Sequence, residues 1–282
     1  MTNNPQLRAD LHLHTIYSDS TLTPQDVINA AKAKGLACVA VTDHDTLDGY
    51  LPTLKAAEGS GIEVLPAAEF SSQLNKKTVH ILGYLMDPDH TGLKNYLVDL
   101  KQRRIARMEE MIERLKKIGL DGITISDVAE KIGKASFGRP HLAQVLVDKG
   151  FAKNRQAAFE KYLSDTSPGY VSGIFDEPQH VIEIIRKSGG VAVLAHPMLT
   201  LVDERIPSFV EAGLGGLEAS YPNISDKICL YYEKIARKHG LIVTGGSDAH
   251  GDNRGWTHIG KITVGMDVVD ALRAKSQNSS IK

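Results

Sequence analysis

Apolar positions along the chain switch repeatedly between two spacings. Residues 7–13 alternate as a strand does, and Val27, Ile28 and Ala31 then recur at helical spacing until Gly35 closes the segment. Thr23-Pro24-Gln25-Asp26 marks the helix start. Thr23 is placed to cap, Pro24 suits the first helical position, and Asp26 can bond back to the cap. Residues 36–42 (LACVAVT) form an unbroken apolar run, the pattern of a strand buried on both faces, and run into Asp43-His44-Asp45. A helix over about 51–59 leads to a strand over 62–68 that ends in Glu69. A short strand follows over 78–84 with His80 inside it.

From 93 to 170 the strand period disappears. Amphipathic patterns over 93–117, 126–132, 141–148 and 155–163 predict helices, and Asp87-Pro88-Asp89 and Ser167-Pro168-Gly169 supply turns at the borders. Alternation then resumes. A helix over 178–188 stops at Gly189-Gly190, and a strand over 191–195 ends in His196-Pro197. A short strand over 214–219, a helix over 226–239 and a strand over 241–245 lead to Ser247-Asp248-Ala249-His250. A last strand over 259–264 and a helix over 268–274 complete the pattern. The expected organisation is a discontinuous α/β domain over 1–90 and 171–275, an inserted, mostly helical subdomain over 91–170, and a polar, disordered tail over 276–282. The α/β domain would hold about seven parallel strands.

Composition narrows the class. At 282 residues, 42% hydrophobic and 24% charged, the chain can bury a sizeable core. A formal net charge of −1 gives no field suited to long nucleic acid or an anionic membrane, whereas a small anionic substrate needs only a few local arginines. The two cysteines, Cys38 and Cys229, have neither disulfide nor metal-knuckle spacing, and no signal peptide or apolar run of membrane-spanning length is seen. A cytoplasmic protein is expected.

Chemistry enters at the strand ends. His12 and His14 share one face of the first strand, as chelation of one divalent cation requires. With 11 histidines, His-x-His arises by chance about 0.4 times in such a chain, so the pair alone says little. The wider pattern says more. Five strands run into His, Asp or Glu at the end where α/β proteins bind ligands: His12/His14, His44, Glu69, His196 and Asp248/His250. His80 joins them if it falls near the same rim, and Asp19 follows the first strand. Nine nitrogen and oxygen ligands without a cysteine exceed the four of one tetrahedral ion. They point to two or three divalent metal ions, with Mn, Zn and Fe all compatible. Clustered metals polarise phosphoryl oxygens and acidify water, so hydrolysis at phosphorus or at a carbonyl is expected.

Asp10-x-His12-x-His14 followed by Ser18-Asp19, then Thr42-Asp43-His44-Asp45, Glu69, Ala195-His196-Pro197 and Gly246-Ser247-Asp248-Ala249-His250, together resemble the polymerase and histidinol phosphatase (PHP) superfamily of metal-dependent phosphoesterases. The resemblance implies a distorted seven-stranded (β/α) barrel and a trinuclear centre. Glu69 would bridge two metals. His12, His14 and Asp248 would serve one ion, His80 and His196 a second, and Asp19, His44 and His250 the third. The inserted region with Gly138-Arg139-Pro140-His141 resembles the bacterial branch of 3′,5′-nucleoside bisphosphate phosphatases and 5′-3′ exoribonucleases. That implies a nucleotide phosphate or a short oligoribonucleotide as substrate, attacked by a metal-bound hydroxide.

For substrate binding, Arg139 offers a planar fork for phosphate, and Arg104 and Arg107 lie one helical turn apart. The alternatives are a surface Arg139 in a turn, and an Arg104/Arg107 face paired with Glu109, Glu110 and Glu113. His141, Lys161 and Tyr170 are further candidates with a structural alternative. His196 and His250 are the first choices for a general acid, although both also count as ligands, and Asp43 and Asp45 are placed to orient His44. Two other readings stay open: a histidinol-phosphate phosphatase on the same barrel, and a non-catalytic metal-binding accessory module. A carbonyl-directed amidohydrolase is disfavoured, because no lysine sits at a strand end.

Overall fold

A computed structural model describes residues 7–75, 77–133, 135–173, 175–254 and 257–279. The strands are β1 (Arg8–Leu13), β2 (Leu36–Val41), β3 (Glu63–Leu74), β4 (Lys77–Tyr84), β5 (Val191–Leu194), β6 (Gly216–Ser220), β7 (Ile242–Gly245) and β8 (Val264–Gly265). The helices are α1 (Pro24–Ala33), α2 (Tyr50–Ala56), α3 (Thr91–Lys117), α4 (Ile125–Ile132), α5 (Arg139–Asp148), α6 (Arg155–Ala158), α7 (Pro178–Lys187), α8 (Pro197–Thr200), α9 (Ile206–Ala212), α10 (Asp226–Lys238) and α11 (Met266–Ser279). By contacts the chain divides into two compact units, Leu97–Phe175 and the remainder.

The larger unit is built on one sheet of order β7-β6-β5-β4-β3-β2-β1-β8. A parallel bridge between Leu13 and Ala249, with the His14 N–H donating to Ala249 O at 3.1 Å, draws the chain after β7 onto β1 and nearly closes a barrel. Gly246 makes that approach possible. A Cβ there would stand 2.3 Å from the His12 Cβ and 2.4 Å from its backbone nitrogen. The first helix begins as its sequence predicts: Thr23 accepts from the Asp26 N–H, and the Asp26 carboxylate accepts from the Thr23 N–H.

Four expectations need correction. The strands are not all parallel, since β4 runs antiparallel to both β3 and β5. A tight reversal forces this: Asn75, at φ 50°, takes the left-handed conformation that asparagine tolerates, and a hairpin pairs antiparallel. Nor does β3 stop at Glu69. Residues 70–74 continue it because β4 supplies a ladder partner for each. The sheet has eight strands rather than seven, the last being the two-residue β8, antiparallel to β1, in place of a strand over 259–264. Finally, the polar tail is helical through Ser279. Val269 and Leu272 are buried on one side of α11, and the Ser276 hydroxyl donates to Gly189 O at 2.6 Å. Residues 280–282 lie outside the described set.

Two apolar layers flank the sheet. Ala9 and Leu11 join Cys38, Ala40, Leu65, Ala67, Leu82, Tyr84, Val191 and Val193 in one cluster with Val269 and Leu272 of α11. Leu13 instead joins Val39, Val41 and Val64 against Val27, Ile28 and Ala31 of α1. The side on which β1 buries its odd-numbered residues thus changes between Leu11 and Leu13. The register of β1 against β2 shifts over that same stretch. A register shift of this kind re-aims the side chains within and just beyond it. Here those side chains are His12 and His14.

The smaller unit has its own core. Met108, Met111, Ile112 and Leu115 of α3 pack with Val128 and Ile132 of α4, Leu142, Val145 and Leu146 of α5, and Tyr162 and Leu163. Thr124 and Asp127 form a reciprocal cap on α4, and Asn154 caps α6, which continues as a π-helix over Phe159–Leu163.

Candidate metal centre

The cluster is organised around Glu69 on β3. Its Oε1 lies 2.7 Å from His80 Nδ1 and 2.9 Å from His196 Nε2. Its Oε2 lies 3.2 Å from His14 Nε2 and 3.3 Å from both His12 Nε2 and His44 Nδ1. The β3–β4 hairpin explains His80: the ladder sets it opposite Ser71, two residues beyond Glu69, so folding back brings the imidazole to the carboxylate. Asp248 Oδ1 adds contacts to His14 Nε2 at 3.1 Å, His250 Nδ1 at 3.4 Å and His12 Nε2 at 3.5 Å. Asp19 Oδ1 lies 3.1 Å from His250 Nε2 and 3.9 Å from His44 Nε2. All nine sequence-predicted ligand positions therefore meet in one place.

Among the described residues, metal-type donors fall into three groups with all donor atoms within 4.8 Å: His14, Asp19, His44 and His250; His12, His14, Glu69 and Asp248; and His44, Glu69 and His80. His196 falls in none of them and reaches the cluster through Glu69. The residues fit divalent ions on a further count. His14 Nε2, His80 Nδ1, His250 Nε2 and Asp19 Oδ1 are buried and make no hydrogen bond among the described residues, although each faces a neighbouring donor atom about 3 Å away. Two ligands each about 2.1 Å from one ion are separated by about this distance. Imidazole and carboxylate without thiolate suit Zn, Mn or Fe.

Electrostatics set the protons of the metal-free cluster. Burial works against the Glu69 carboxylate, but His80, His44 and His12 outweigh it and hold the group well below the usual range. Asp19 is held low in the same way, by His250 first and His44 next. Burial would depress His14, yet Asp248 and Glu69 lift it to about 9. For His44 burial wins, and its pKa falls to about 3. His44 is thus neutral and ready to coordinate, whereas His14 must release a proton first.

Behind the cluster lies a second layer, of which the sequence offers Asp43 and Asp45 but not Glu218; Asp43 meets Thr15 and Ser18, and Asp45 the Ser71 N–H. Glu218 of β6, fully buried, lies with Oε1 2.9 Å from His12 Nδ1 and accepts the His196 N–H at 2.8 Å through Oε2. Tyr221 donates to Asp248 Oδ2 at 2.6 Å. The signal for Glu218 is an acid inside the otherwise apolar strand over 214–219, and it belongs to none of the strand-end motifs. Asp43 accepts from the Thr15 N–H at 2.7 Å and from the Thr15 and Ser18 hydroxyls at 2.6 Å, which orders the turn after His14. Asp10 receives the Ser247 and Gly260 N–H groups at 2.9 and 2.8 Å and so ties β1 to the segment carrying Asp248.

The four proposed substrate-binding residues lie in the helical unit. Arg104 donates to Phe137 O at 2.9 Å and Arg107 to Val171 O at 2.8 Å. Glu110 and Glu113 are engaged by Arg114 and Lys116. Arg139, at the start of α5, donates to Leu163 O at 3.1 Å and Asp165 at 2.7 Å. The guanidiniums of Arg107 and Arg139 lie 5.8 and 5.4 Å from the Tyr170 ring centre. Burial, then Arg139 and Arg104, lowers Arg107 to about 10, as expected when cations are gathered together. His141 stands two residues beyond Arg139 on the same helix.

Comparison with known proteins places these features in a wider set. A model of the PHP domain matches residues 10–100. The chain is 34% identical over 256 residues to a 3′,5′-nucleoside bisphosphate phosphatase of Chromobacterium violaceum, spanning 89% of this chain and 90% of that one. It is 29% identical over 282 residues to a 5′-3′ exoribonuclease of Escherichia coli, covering 96% and 95% of the two chains. A structure from Bifidobacterium adolescentis described as a metal-dependent phosphoesterase superposes with a TM-score of 0.86 at 31% identity, over 95% of this chain and 96% of the other.

Proposed function

This chain belongs to the PHP-domain family and is a metal-dependent phosphoesterase. From that premise we propose that its substrates are nucleotides carrying a phosphomonoester, with a 3′,5′-nucleoside bisphosphate as the type and short RNA as a further substrate. The observation that carries the reading is the convergence of nine ligand-type side chains in one cluster, five of them imidazoles gathered around Glu69. His12, His14, Asp19, His44, Glu69, His80, His196, Asp248 and His250 would hold two or three divalent ions, Mn, Zn or Fe. Bound there, such ions supply Lewis acidity toward a phosphoryl group and acidify water near neutral pH.

The chain's own residues do the rest. Glu69 spans the cluster and faces five imidazoles, which lets it serve more than one ion. Buried His and Asp side chains fix the donor positions before substrate arrives, so little reorganisation is needed during reaction. His250 Nε2 faces Asp19 at 3.1 Å and its Nδ1 faces the Asp248 carbonyl at 2.9 Å, whereas His196 faces Glu69 through Nε2 and its Nδ1 makes no hydrogen bond among the described residues; these two histidines stay the first choices for a general acid. Arg104, Arg107 and Arg139 gather positive charge in the helical unit, a composition suited to a phosphate dianion, with Arg139 offering the planar fork. The similarity to a nucleoside bisphosphate phosphatase over 89% of the chain supports the nucleotide choice.

The test is phosphate release by Mn-loaded protein from adenosine 3′,5′-bisphosphate, AMP, histidinol phosphate and a short 5′-phosphorylated RNA, run side by side. Turnover of the bisphosphate or RNA with little from histidinol phosphate is expected. Preference for histidinol phosphate would move the substrate to that class. Silence on all four with metal bound would leave a non-catalytic module.

A further inference from the structure

Among the described residues, every strand near the cluster contributes one of the nine proposed ligands at or beyond its end, or within it in β3 and β4, except β6. What β6 contributes instead is Glu218. A carboxylate with no solvent access is costly to bury unless its oxygens are satisfied. Each oxygen of Glu218 meets a different proposed ligand: Oε1 is 2.9 Å from His12 Nδ1, and Oε2 accepts the His196 N–H at 2.8 Å. With Nδ1 turned to Glu218, His12 directs Nε2 toward Glu69 Oε2 and Asp248 Oδ1, at 3.3 and 3.5 Å. The other bond restrains a costly backbone. His196 sits at φ 27°, ψ 58°, in the left-handed region that residues other than glycine rarely occupy.

We propose that Glu218 is a positioning residue for the metal centre: its carboxylate fixes the tautomer of His12, with the proton on Nδ1 and Nε2 as the ligating atom, while holding the His196 backbone in its strained conformation. The inference rests on the metal reading of the nine-residue cluster. It extends that reading to a residue that touches neither ion nor substrate and acts through two ligands on β1 and just beyond β5. Tyr221, one residue beyond β6, serves Asp248 in a parallel way by donating to the carboxylate oxygen opposite the one that faces the histidines. Partners of this kind, which orient a metal-bound imidazole, typically change metal affinity by about 10- to 100-fold when removed.

The experiment uses full-length protein labelled with ¹⁵N-histidine and loaded with Zn²⁺. The His12 signals are assigned by their loss in His12→Asn. The expected spectrum shows His12 Nδ1 protonated and Nε2 unprotonated and metal-shifted. A spectrum with Nε2 protonated and Nδ1 ligating would overturn the proposal while leaving metal binding intact. Failure of the wild type to retain any zinc would overturn the metal reading and this inference with it. In Glu218→Gln, which keeps the volume but only one acceptor, the Nδ1 signature should change. Zinc loss to chelator should also be about 10- to 100-fold faster. A variant that melts lower yet keeps the wild-type nitrogen pattern and zinc retention would show a merely structural role and overturn it. Should Glu218→Gln not fold, the wild-type spectrum alone decides.

Discussion

The barrel cluster and the arginine group of the helical unit both concentrate charge in a protein of nearly zero net charge, but they hold it in opposite ways. In the barrel, carboxylates and imidazoles interleave, since four carboxylates face six imidazoles on the strands or on the segments that follow them. In the helical unit, like charges accumulate. Arg107 and Arg139 lie around the Tyr170 ring, Arg104 adds to the same field, and all three are held by carbonyl oxygens of intervening segments. The first arrangement is largely self-neutralising and wants a cation to replace the protons it carries. The second has an excess of positive charge, even with Asp165 paired to Arg139, and would suit an anion. The difference teaches that the first would take a cation on donors set by strand pairing, and the second an anion on net charge.

The largest effect should come from His12→Ala together with His14→Ala. Metal retention by elemental analysis should fall to background and phosphate release by about 10³-fold or more, in line with the loss of a principal electrostatic element. Turnover retained within 10-fold would dissolve the contrast, because the cluster would then be dispensable.

Arg139→Ala should act on the other side of the comparison. Loss of a charge-assisted hydrogen bond to phosphate, about 1.5–3 kcal/mol, predicts a rise in KM of about 10- to 100-fold at unchanged metal content. Kinetics indistinguishable from wild type would reduce Arg139 to the partner of Asp165 and Leu163 O.

A pH effect separates the two regions more finely. The His14 pKa is raised to about 9, so its interactions contribute stability to the metal-free protein that is fully present below about pH 6.5 and fades as pH rises toward 9. Metal uptake displaces that proton. Titration calorimetry with Zn²⁺ in buffers of different ionisation enthalpy should report proton release near pH 7 that declines toward pH 9, with tightening affinity over the same range. Proton release unchanged across that window would contradict the assignment of His14.

The smallest effect concerns the helical unit alone. Thr124→Ala removes one half of the α4 cap and should cost about 1 kcal/mol, read as an earlier denaturant midpoint with metal content unaltered. Asp127, held at about 2 by Lys149 and Thr124, contributes stability present above its unfolded value near 4 and lost as pH falls through 2. The Thr124→Ala penalty should therefore shrink in acid, and a penalty that grows instead would contradict the cap.

Much of this is legible in the sequence alone. Thr23-Pro24-Gln25-Asp26 predicted a cap that forms, and the apolar run over 36–42 predicted the buried β2. The nine ligand candidates could be picked out because polar, metal-type residues at the ends of buried strands are costly without a purpose. Other features were not legible. The continuation of β3 past Glu69 depends on β4 as its ladder partner, and the helical state of 276–279 depends on docking at Val269, Leu272 and Ser276. Glu218 was passed over because its reason for being buried, His12, lies 206 residues away.

By itself, then, the sequence determined the local elements, their caps, the interruption of the strand–helix alternation and the identity of the chemically able residues. These follow from propensities and periodicities that act over a few residues. Only the tertiary structure decided which of those residues face one another. The shift in β1 aims His12 and His14, the hairpin returns His80 to Glu69, and Gly246 lets the chain after β7 close on β1. Register and closure are set by pairing between distant strands, and a one-residue slip turns every side chain to the other face, so short-range pattern cannot fix them.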